Sequence, residues 1–245
     1  MPTLKVTDIP SIMDANRWPV AAKLLRRWLA LPANSIPAKG LASLEVVTME
    51  WVLKFERAKL AYQDIFRLGL WKSAAARLEI GKVLRKKKLI NSQSSTAYAR
   101  TAFALPLDHK DHIQYVSVGG SSLDMATSSI DHLTAALARF NFHVVVHGLI
   151  SGPEKAGGLA QFQVSEVGVY VRDSYDFNDA PGEDQDLGNW DLDDNSVGRT
   201  WMNGGTSVRN SDFRAWRSAN KKGGDYLIYS DIVYTKLAKV EVLSV

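Results

Sequence analysis

The sequence contains no cysteine, and this absence excludes several classes of site. The 245-residue chain has no disulfide, no thiolate ligand for a metal ion and no cysteine nucleophile. No apolar run approaches the roughly 20 residues that a membrane-spanning helix needs. The first 18 residues lack the basic and then apolar layout of a secretory signal. If the protein leaves the cell, we therefore expect a route other than a cleaved signal.

Common enzyme signatures are absent too. The chain has no GxSxG, no GxGxxG and no Walker-type phosphate loop. Of its five histidines, none follows His147. His143 and His147 have the spacing of a helical zinc pair, but their apolar, β-branched surroundings predict a strand. Residues four apart in a strand are about 13 Å apart, so these two cannot share one ion.

The charge is unevenly distributed. Residues 1–100 hold 18 Lys/Arg and 7 Asp/Glu, a net charge of +11, whereas residues 101–245 hold 12 and 19, a net charge of −7, and the two add to the overall +4. The basic balance of the whole chain is thus a poor argument for nucleic-acid binding, and no nucleic-acid partner is predicted. The asymmetry instead predicts two functional halves.

The periodicity predicts an α+β protein, with an N-terminal helical region followed by a mainly antiparallel β region with short helices. Residues 1–16 look extended, a helix is expected from Pro19 to Leu31, and a long helix from Ser43 to Leu68. Ser73 is a plausible N-cap for the next helix, which ends in the basic run 85–88. We predict a basic helical region over 1–96, with a linker at 91–96, and a β-rich region over 97–245.

The most informative stretch begins as a strand and continues as an acidic loop. Val167, Val169 and Val171 alternate with other residues, as in a half-buried strand. From Asp173 to Asp194 there are nine Asp or Glu and no Lys or Arg. We predict a loop over 173–196. Uncompensated charge of this density is typical of a metal site or of acid–base chemistry.

Asp173, Tyr175 and Asp176 are the candidate catalytic residues of this loop. Two carboxylates and a phenol beyond a strand end are suited to bind a divalent cation or an attacking water. Mg²⁺ and Ca²⁺ prefer oxygen ligands, so Asp173, Asp176 and Asp179 are the candidate metal ligands. An equally weighted interpretation is an Asx-type turn, in which Asp173 and Asp176 cap backbone amides. The run 191–195 resembles a calcium loop only faintly, and a solvated loop is the favoured interpretation there.

Arginines follow the acidic loop at positions 199, 209, 214 and 217. One interpretation is that one or two of them neutralise the loop. The other is that they hold an anionic substrate as bidentate donors. Under the second interpretation Arg199 is a candidate catalytic residue that offsets developing charge, and Arg214 and Arg217 are candidate substrate-binding residues.

Several segments resemble an uncharacterised bacterial family encoded near type VI secretion spike proteins. They are VGVYVRDSYDFN (167–178), LGNW (187–190), NSDFRAWR (210–217), GGDYLIYSD (223–231), AKLLRRW (22–28) and VVTMEW (46–51). The resemblance covers most of the chain. It implies a bacterial antagonism protein with a spike or adaptor protein and a cognate immunity protein as partners, but it brings no known reaction.

Asp173-Ser-Tyr-Asp176 also matches part of the signature of colicin M-type toxins. These are phosphodiesterases that cleave the lipid-linked peptidoglycan precursor in the periplasm, and their Asp-x-Tyr-Asp motif is followed by His-Arg. Here FNDAPG follows at 177–182, and no histidine comes later. Arg199 is the candidate replacement for the arginine, and nothing replaces the histidine.

The sequence therefore favours an antibacterial type VI effector whose β-rich region carries the activity and whose basic region docks on the secretion machinery. As an enzyme, it is expected to hydrolyse a phosphate-bearing envelope substrate in the periplasm of the target cell. The alternative is a non-enzymatic adaptor or immunity-like protein whose acidic loop binds a basic partner. A membrane-active toxin is a third option, which the lack of a long apolar segment disfavours.

Overall fold

A computed structural model describes residues 3–33, 42–43, 45–90, 96–100, 112–119, 130–151, 158–199 and 205–245. The helices in these ranges are α1 (Ile9–Ala15), α2 (Pro19–Ala30), α3 (Met49–Val52), α4 (Glu56–Arg67), a 3₁₀ turn (Leu70–Lys72), α5 (Ala74–Lys86), α6 (His132–Leu137) and α7 (Asn210–Asn220). The strands are β1 (Ala42–Ser43), β2 (Thr96–Arg100), β3 (Gln114–Val118), β4 (Phe140–Ser151), β5 (Gln161–Tyr175), β6 (Asp186–Trp190), β7 (Val197–Gly198), β8 (Thr206–Arg209), β9 (Tyr226–Tyr229) and β10 (Val233–Ser244). The predicted α+β class, with helices first and mostly antiparallel strands after them, is confirmed. None of the helices in the described ranges is long and apolar enough to cross a membrane.

The chain divides into two compact units that are interleaved along the sequence. Unit 1 comprises Met1–Val47, Gly119–Phe140 and Asp173–Ile228, and unit 2 comprises Thr48–Val118, Asn141–Arg172 and Tyr229–Val245. Neither unit coincides with the predicted regions 1–96 and 97–245. The predicted linker at 91–96 lies outside the described residues except for Thr96, where β2 begins.

The N-terminal segment is helical where an extended chain was predicted. Pro10 lies in the first turn of α1, where its missing N–H costs no hydrogen bond. Ile9, Ile12 and Met13 are buried, so they form one apolar face at helical spacing. The prediction of an extended segment over 1–16 is therefore wrong. Seven residues of helix are too short for the periodicity to be evident without the neighbouring helix α2.

The predicted single helix over 43–68 is also wrong, because two shorter helices occupy this range. The hydroxyl of Thr48 accepts a hydrogen bond from the amide of Trp51 and caps α3. Phe55 has an extended backbone conformation (φ −94°, ψ 124°) and precedes α4. The rings of Trp51 and Phe55 still meet edge to face at 5.3 Å. This spacing of four residues was interpreted as continuous helix, although a turn separates the two residues.

Ser73 was correctly predicted to begin α5. Its hydroxyl oxygen accepts a hydrogen bond of 3.1 Å from the amide of Ala76. Replacing Ser73 by Ala leaves that amide without its partner, so we expect the free energy of unfolding to fall by about 1 kcal/mol. Urea denaturation measures this change. Ser73→Thr retains a hydroxyl and serves as the control; equal losses in both variants would contradict a capping role.

Unit 2 contains an antiparallel sheet. Strand β4 pairs with the part of β5 that lies in this unit, in a register that places His143 opposite Tyr170. On the other side of β5 lies β10, and both β2 and β3 pair with β4. The strand predicted around His143 and His147 is confirmed as β4, and the strand predicted at Val167, Val169 and Val171 is confirmed as part of β5.

Unit 1 contains the acidic segment, which is more ordered than a loop. Strand β5 continues to Tyr175, and residues 186–190 form β6, which pairs antiparallel with β7 and β8. The prediction of a loop over the whole of 173–196 is therefore wrong. Gly188 and Trp190 are buried and alternate with the partly exposed Leu187 and Asn189, which is a strand pattern hidden among carboxylates.

Candidate functional site

Unit 1 encloses a cavity of about 890 Å³, which is within the size range of small-molecule sites. One wall is the end of β5 with the chain that follows it, residues 173–179 and 183–187. Another wall is α6 with the two residues that follow it, Ala138 and Arg139. The other lining residues are Ile9, Met13, Leu25, Ile130, Trp190, Arg199, Val208, Asn210 and Phe213.

The structure brings most of the predicted site residues to this cavity. Its lining includes all four predicted catalytic residues and the third predicted metal ligand, namely Asp173, Tyr175, Asp176, Arg199 and Asp179. Arg214 and Arg217 are not among the lining residues. The strand end and the acidic segment therefore do meet at one place, as the sequence predicts.

Tyr175 forms part of a buried aromatic cluster in the cavity wall. Only 8% of the residue is exposed, its ring stacks on Tyr226 at 5.2 Å, and it meets Phe177 edge to face at 5.7 Å. Burial, together with the negative charge of Asp173, raises the pKa of Tyr175 far above its usual value. The phenol is thus neutral, and Tyr175 is suited to positioning rather than to proton transfer.

Asp173 lies close to two phenols. Its charge also raises the pKa of Tyr226, although burial is the larger cause there. The hydroxyl of Tyr226 donates a 2.8 Å hydrogen bond to the carbonyl of Leu24, and the guanidinium of Arg27 lies 5.1 Å from the centre of its ring. The Asp173 carboxylate is therefore held at the edge of a buried aromatic group.

Asp176 adopts the turn that was the alternative interpretation of this motif. Its Oδ1 accepts a 3.0 Å hydrogen bond from the amide of Asn178, two residues on, which makes an Asx turn. The side chain is only partly exposed, and in the described ranges this amide is its single hydrogen-bond partner. Within the described ranges, the other carboxylate oxygen of this lining residue accepts no hydrogen bond.

Arg214 neutralises the acidic segment. Its guanidinium binds Asp179 and lies 3.1 Å from Oδ1 of Asp184. Asp179, whose side chain is 8% exposed, also accepts a 2.6 Å hydrogen bond from Asn210. The hydroxyl of Ser211 is the main reason that the pKa of Asp184 is lowered. These bonds fix residues 179–184 to the start of α7, so Arg214 is occupied structurally and not by a substrate.

Arg217 is engaged in a second ion pair. It binds Asp225, which also accepts hydrogen bonds from the indole of Trp28 at 3.0 Å and from the side-chain amide of Asn178 at 2.9 Å. The guanidinium lies 5.1 Å from the centre of the Trp28 ring. Arg217, like Arg214, therefore serves the fold of unit 1, and the structure gives neither residue the substrate-binding position that the sequence predicts.

The acidic segment mostly supports its own backbone. Asp186 accepts from the amide of Gly188 at 2.7 Å, and Asp191 from that of Asp193 at 2.8 Å. Asp194 accepts from the amide of Ser196 at 2.7 Å. In the described part of the chain, no group of three or more His, Asp or Glu is placed to hold a metal ion. The predicted set of Asp173, Asp176 and Asp179 is not such a group, since Asp179 is bonded to Arg214 and Asn210.

Arg199 differs from the two arginines in ion pairs. It is half-buried, and its guanidinium donates a 3.2 Å hydrogen bond to the backbone carbonyl of Asp186. Its Nε has no hydrogen-bond partner among the described residues. Burial lowers the pKa of Arg199, and the charge of Asp186 opposes this only in part. Of the four predicted arginines, Arg199 is the one in the cavity lining, and no carboxylate of the described residues is bound to it.

Sequence reasoning missed Arg139. It follows α6 directly, is exposed and lies in the cavity lining. No motif surrounds it. The carboxylates of the cavity come more than thirty residues later in the sequence, and only the fold brings Arg139 into the same lining. Its position between a helix end and strand β4 carried no functional signal.

Searches among curated proteins and among solved structures found no match to this chain. One family model matches nearly all of it, in two parts that cover residues 4–203 and 196–245. On this basis the chain belongs to the family of unknown function DUF6402.

Proposed function

We propose that the chain is an antibacterial effector delivered by type VI secretion, and that the unit 1 cavity hydrolyses an anionic, phosphate-bearing substrate of the target cell envelope. The observation that carries the enzymatic part is the meeting of Asp173, Asp176 and Arg199 in one ligand-sized cavity. The secretion route and the periplasmic destination rest on the sequence resemblance. A lipid-linked peptidoglycan precursor is the substrate that the Asp-x-Tyr-Asp likeness favours.

The proposed chemistry assigns one role to each residue. Asp176 takes a proton from water as the water oxygen attacks phosphorus and the bond from phosphorus to the leaving oxygen breaks. Arg199 offsets the charge that develops on the phosphoryl oxygens in the partly dry cavity. Tyr175 and Asp173 shape the wall beside Asp176. The leaving oxygen of the phosphodiester then takes up this proton from Asp176, which restores the carboxylate, so this scheme does not require the missing histidine.

The experiment is expression in a bacterial host, either in the cytoplasm or behind a periplasmic signal. Asp176→Asn removes the base but keeps an oxygen that can accept from the amide of Asn178. We expect killing from the periplasm only, and a loss of roughly 100-fold or more in Asp176→Asn. Asp193→Asn is the control because Asp193 is exposed in the same segment and is not in the cavity lining. Undiminished killing by Asp176→Asn would sink the proposal.

We also propose a divalent cation, Mg²⁺ or Ca²⁺, as the cofactor of this site. Two carboxylates, Asp173 and Asp176, line the cavity, and a substrate phosphate is a common further ligand of Mg²⁺. Hydrolysis of the purified precursor with and without EDTA tests this dependence. Hydrolysis that is unchanged by EDTA would limit the mechanism to the residues named above.

Exposed acids favour a second candidate, a non-enzymatic adaptor or immunity-like protein. Glu183, Asp193 and Asp194 are exposed in unit 1 and are suited to bind a basic partner. This candidate predicts no killing from either compartment in the experiment above. The effector proposal predicts killing, so the same measurement separates the two.

A further inference from the structure

We infer that Arg139 and Arg199 are the anion-binding residues of the unit 1 cavity, and that they take a phosphate group of the ligand. This inference deepens the proposed function and rests on it for the identity of the cavity as a ligand site. It replaces Arg214 and Arg217, the residues that the sequence favours for this role.

Arg199 provides the first argument. A guanidinium that is taken partly out of water loses hydration, and an ion pair with a carboxylate or phosphate normally offsets this desolvation cost. Arg214 has such an ion pair with Asp179, and Arg217 has one with Asp225. Arg199 donates to a backbone carbonyl only, and its buried Nε has no partner in the described ranges. A bound phosphate would supply the missing acceptor, and a guanidinium can bind it with two parallel hydrogen bonds.

Arg139 provides the second argument. It lines the same cavity, and the described residues show no carboxylate bound to it. Ala138, directly before it, has φ 47° and ψ −95°, a conformation that is costly for a residue with a Cβ. The turn is held from the other side by Gly119, since a Cβ there would lie 3.2 Å from Cα of Arg139. A strained backbone conformation at Ala138 thus places the next residue, Arg139, in the cavity lining.

The charge of the remaining wall restricts what can bind. Asp173, Asp176, Glu183 and Asp186 repel an anion from the rest of the cavity, whereas buried apolar side chains such as Ile130 and Trp190 accept uncharged groups. The arrangement suits a ligand with its phosphate at the arginines and a less charged remainder. A ligand that carries further negative charge away from its phosphate or diphosphate group is disfavoured.

The test is calorimetric titration of the full chain with pyrophosphate as the probe. We expect the dissociation constant to rise at least tenfold in Arg139→Gln and in Arg199→Gln, since each loses a charge-assisted bond. Arg209→Gln is the matched control. Arg209 is exposed and lies between the lining residues Val208 and Asn210, so this variant removes the same charge without changing the wall. We expect its affinity to equal that of the parent.

Two outcomes would overturn the inference: no binding of pyrophosphate by the parent chain, or equal affinities for the parent and both cavity variants. Arg139 is exposed, so its variant remains informative if Arg199→Gln fails to fold. Asp176→Asn separates this inference from the proposed function, because it should retain pyrophosphate binding while losing activity. Binding at the arginines by a protein that never kills would leave the inference in place and refute the effector proposal.

Discussion

Asp225→Ala is expected to lower the free energy of unfolding by about 3–5 kcal/mol, the usual cost of removing one partner from a buried ion pair. The side chain of Asp225 is 12% exposed and that of Arg217 is 18% exposed, so water can replace little of the lost interaction. Three donors lose their acceptor at once: the guanidinium of Arg217, the indole of Trp28 and the amide of Asn178. Trp28 is fully buried, so water cannot replace the acceptor that its N–H loses.

Urea denaturation gives the comparison, with Asp14→Ala as the matched control. Asp14 also binds an arginine, Arg26, but both side chains are almost half exposed. An exposed pair of this kind contributes about 1 kcal/mol or less. Similar small losses in both variants would show that Asp225 does not hold unit 1 together. A large loss confined to Asp225→Ala would confirm that Arg217 and Asp225 form a structural centre, which removes Arg217 from any substrate-binding role.

The strands β4 and β5 could be predicted because both contain runs of β-branched apolar residues. The half-buried character that the alternating valines predict is wrong, because residues 167–171 are all buried, and the pairing of β4 with β5 could not be read from either run alone. The cap at Ser73 was equally local, since one hydroxyl and one amide three residues on decide it. Features whose cause lies within about one turn of chain were visible in the sequence.

Features that depend on distant partners were not visible. Strand β6 begins with an Asx turn at Asp186 and is followed by another at Asp191, and its identity as a strand depends on hydrogen bonds to β7 and β8. Helix α1 is short and gains its stability from packing against α2. Charge counting along the chain showed an acidic stretch followed by arginines. It could not show that Arg214 binds Asp179, 35 residues earlier, while Arg199 donates to a backbone carbonyl.

The candidate site shows the same division. The motif Asp173-Ser-Tyr-Asp176 identified one wall of the cavity because its residues are contiguous. The opposite wall includes Arg139, which only the fold brings near. The density of carboxylates was a weaker guide than it first appeared, since Asp186, Asp191 and Asp194 accept hydrogen bonds from amides two residues on. Aspartate is suited to such turns, so an acidic run is compatible with a structural role.

Acidification is expected to destabilise the protein through His143 in unit 2. This histidine is 4% exposed, stacks on Tyr170 at 5.5 Å and meets His112 edge to face at 4.4 Å. Neither of its ring nitrogens has a hydrogen-bond partner among the described residues. Burial lowers the pKa of His143 from 6.5 to about 3, and the positive charges of His112 and Arg172 act in the same direction. A proton on this ring would have neither water nor a carboxylate to stabilise it.

The sign of the effect follows from the two pKa values. Between pH 6.5 and about 3 the unfolded chain binds a proton at His143 and the folded chain does not. The free energy of unfolding therefore falls as the pH falls, by about 1.4 kcal/mol per pH unit, or about 2 kcal/mol between pH 6.5 and 5. Above pH 6.5 the ring is neutral in both states and contributes no pH dependence.

His143→Phe should remove this slope, because phenylalanine retains a ring in the stack and cannot take up a proton. Urea midpoints at pH 7.5, 6 and 5 measure the slope in a range where carboxylates contribute little. His147→Gln is the control: His147 lies in the same strand and binds Glu166 at 2.7 Å, so its loss changes stability but leaves His143 in place. If His143→Phe shows the same dependence on pH as the parent, the acid sensitivity has another origin. If the slope disappears in His143→Phe alone, the buried imidazole of His143, which has no hydrogen-bond partner among the described residues, sets the acid limit of unit 2.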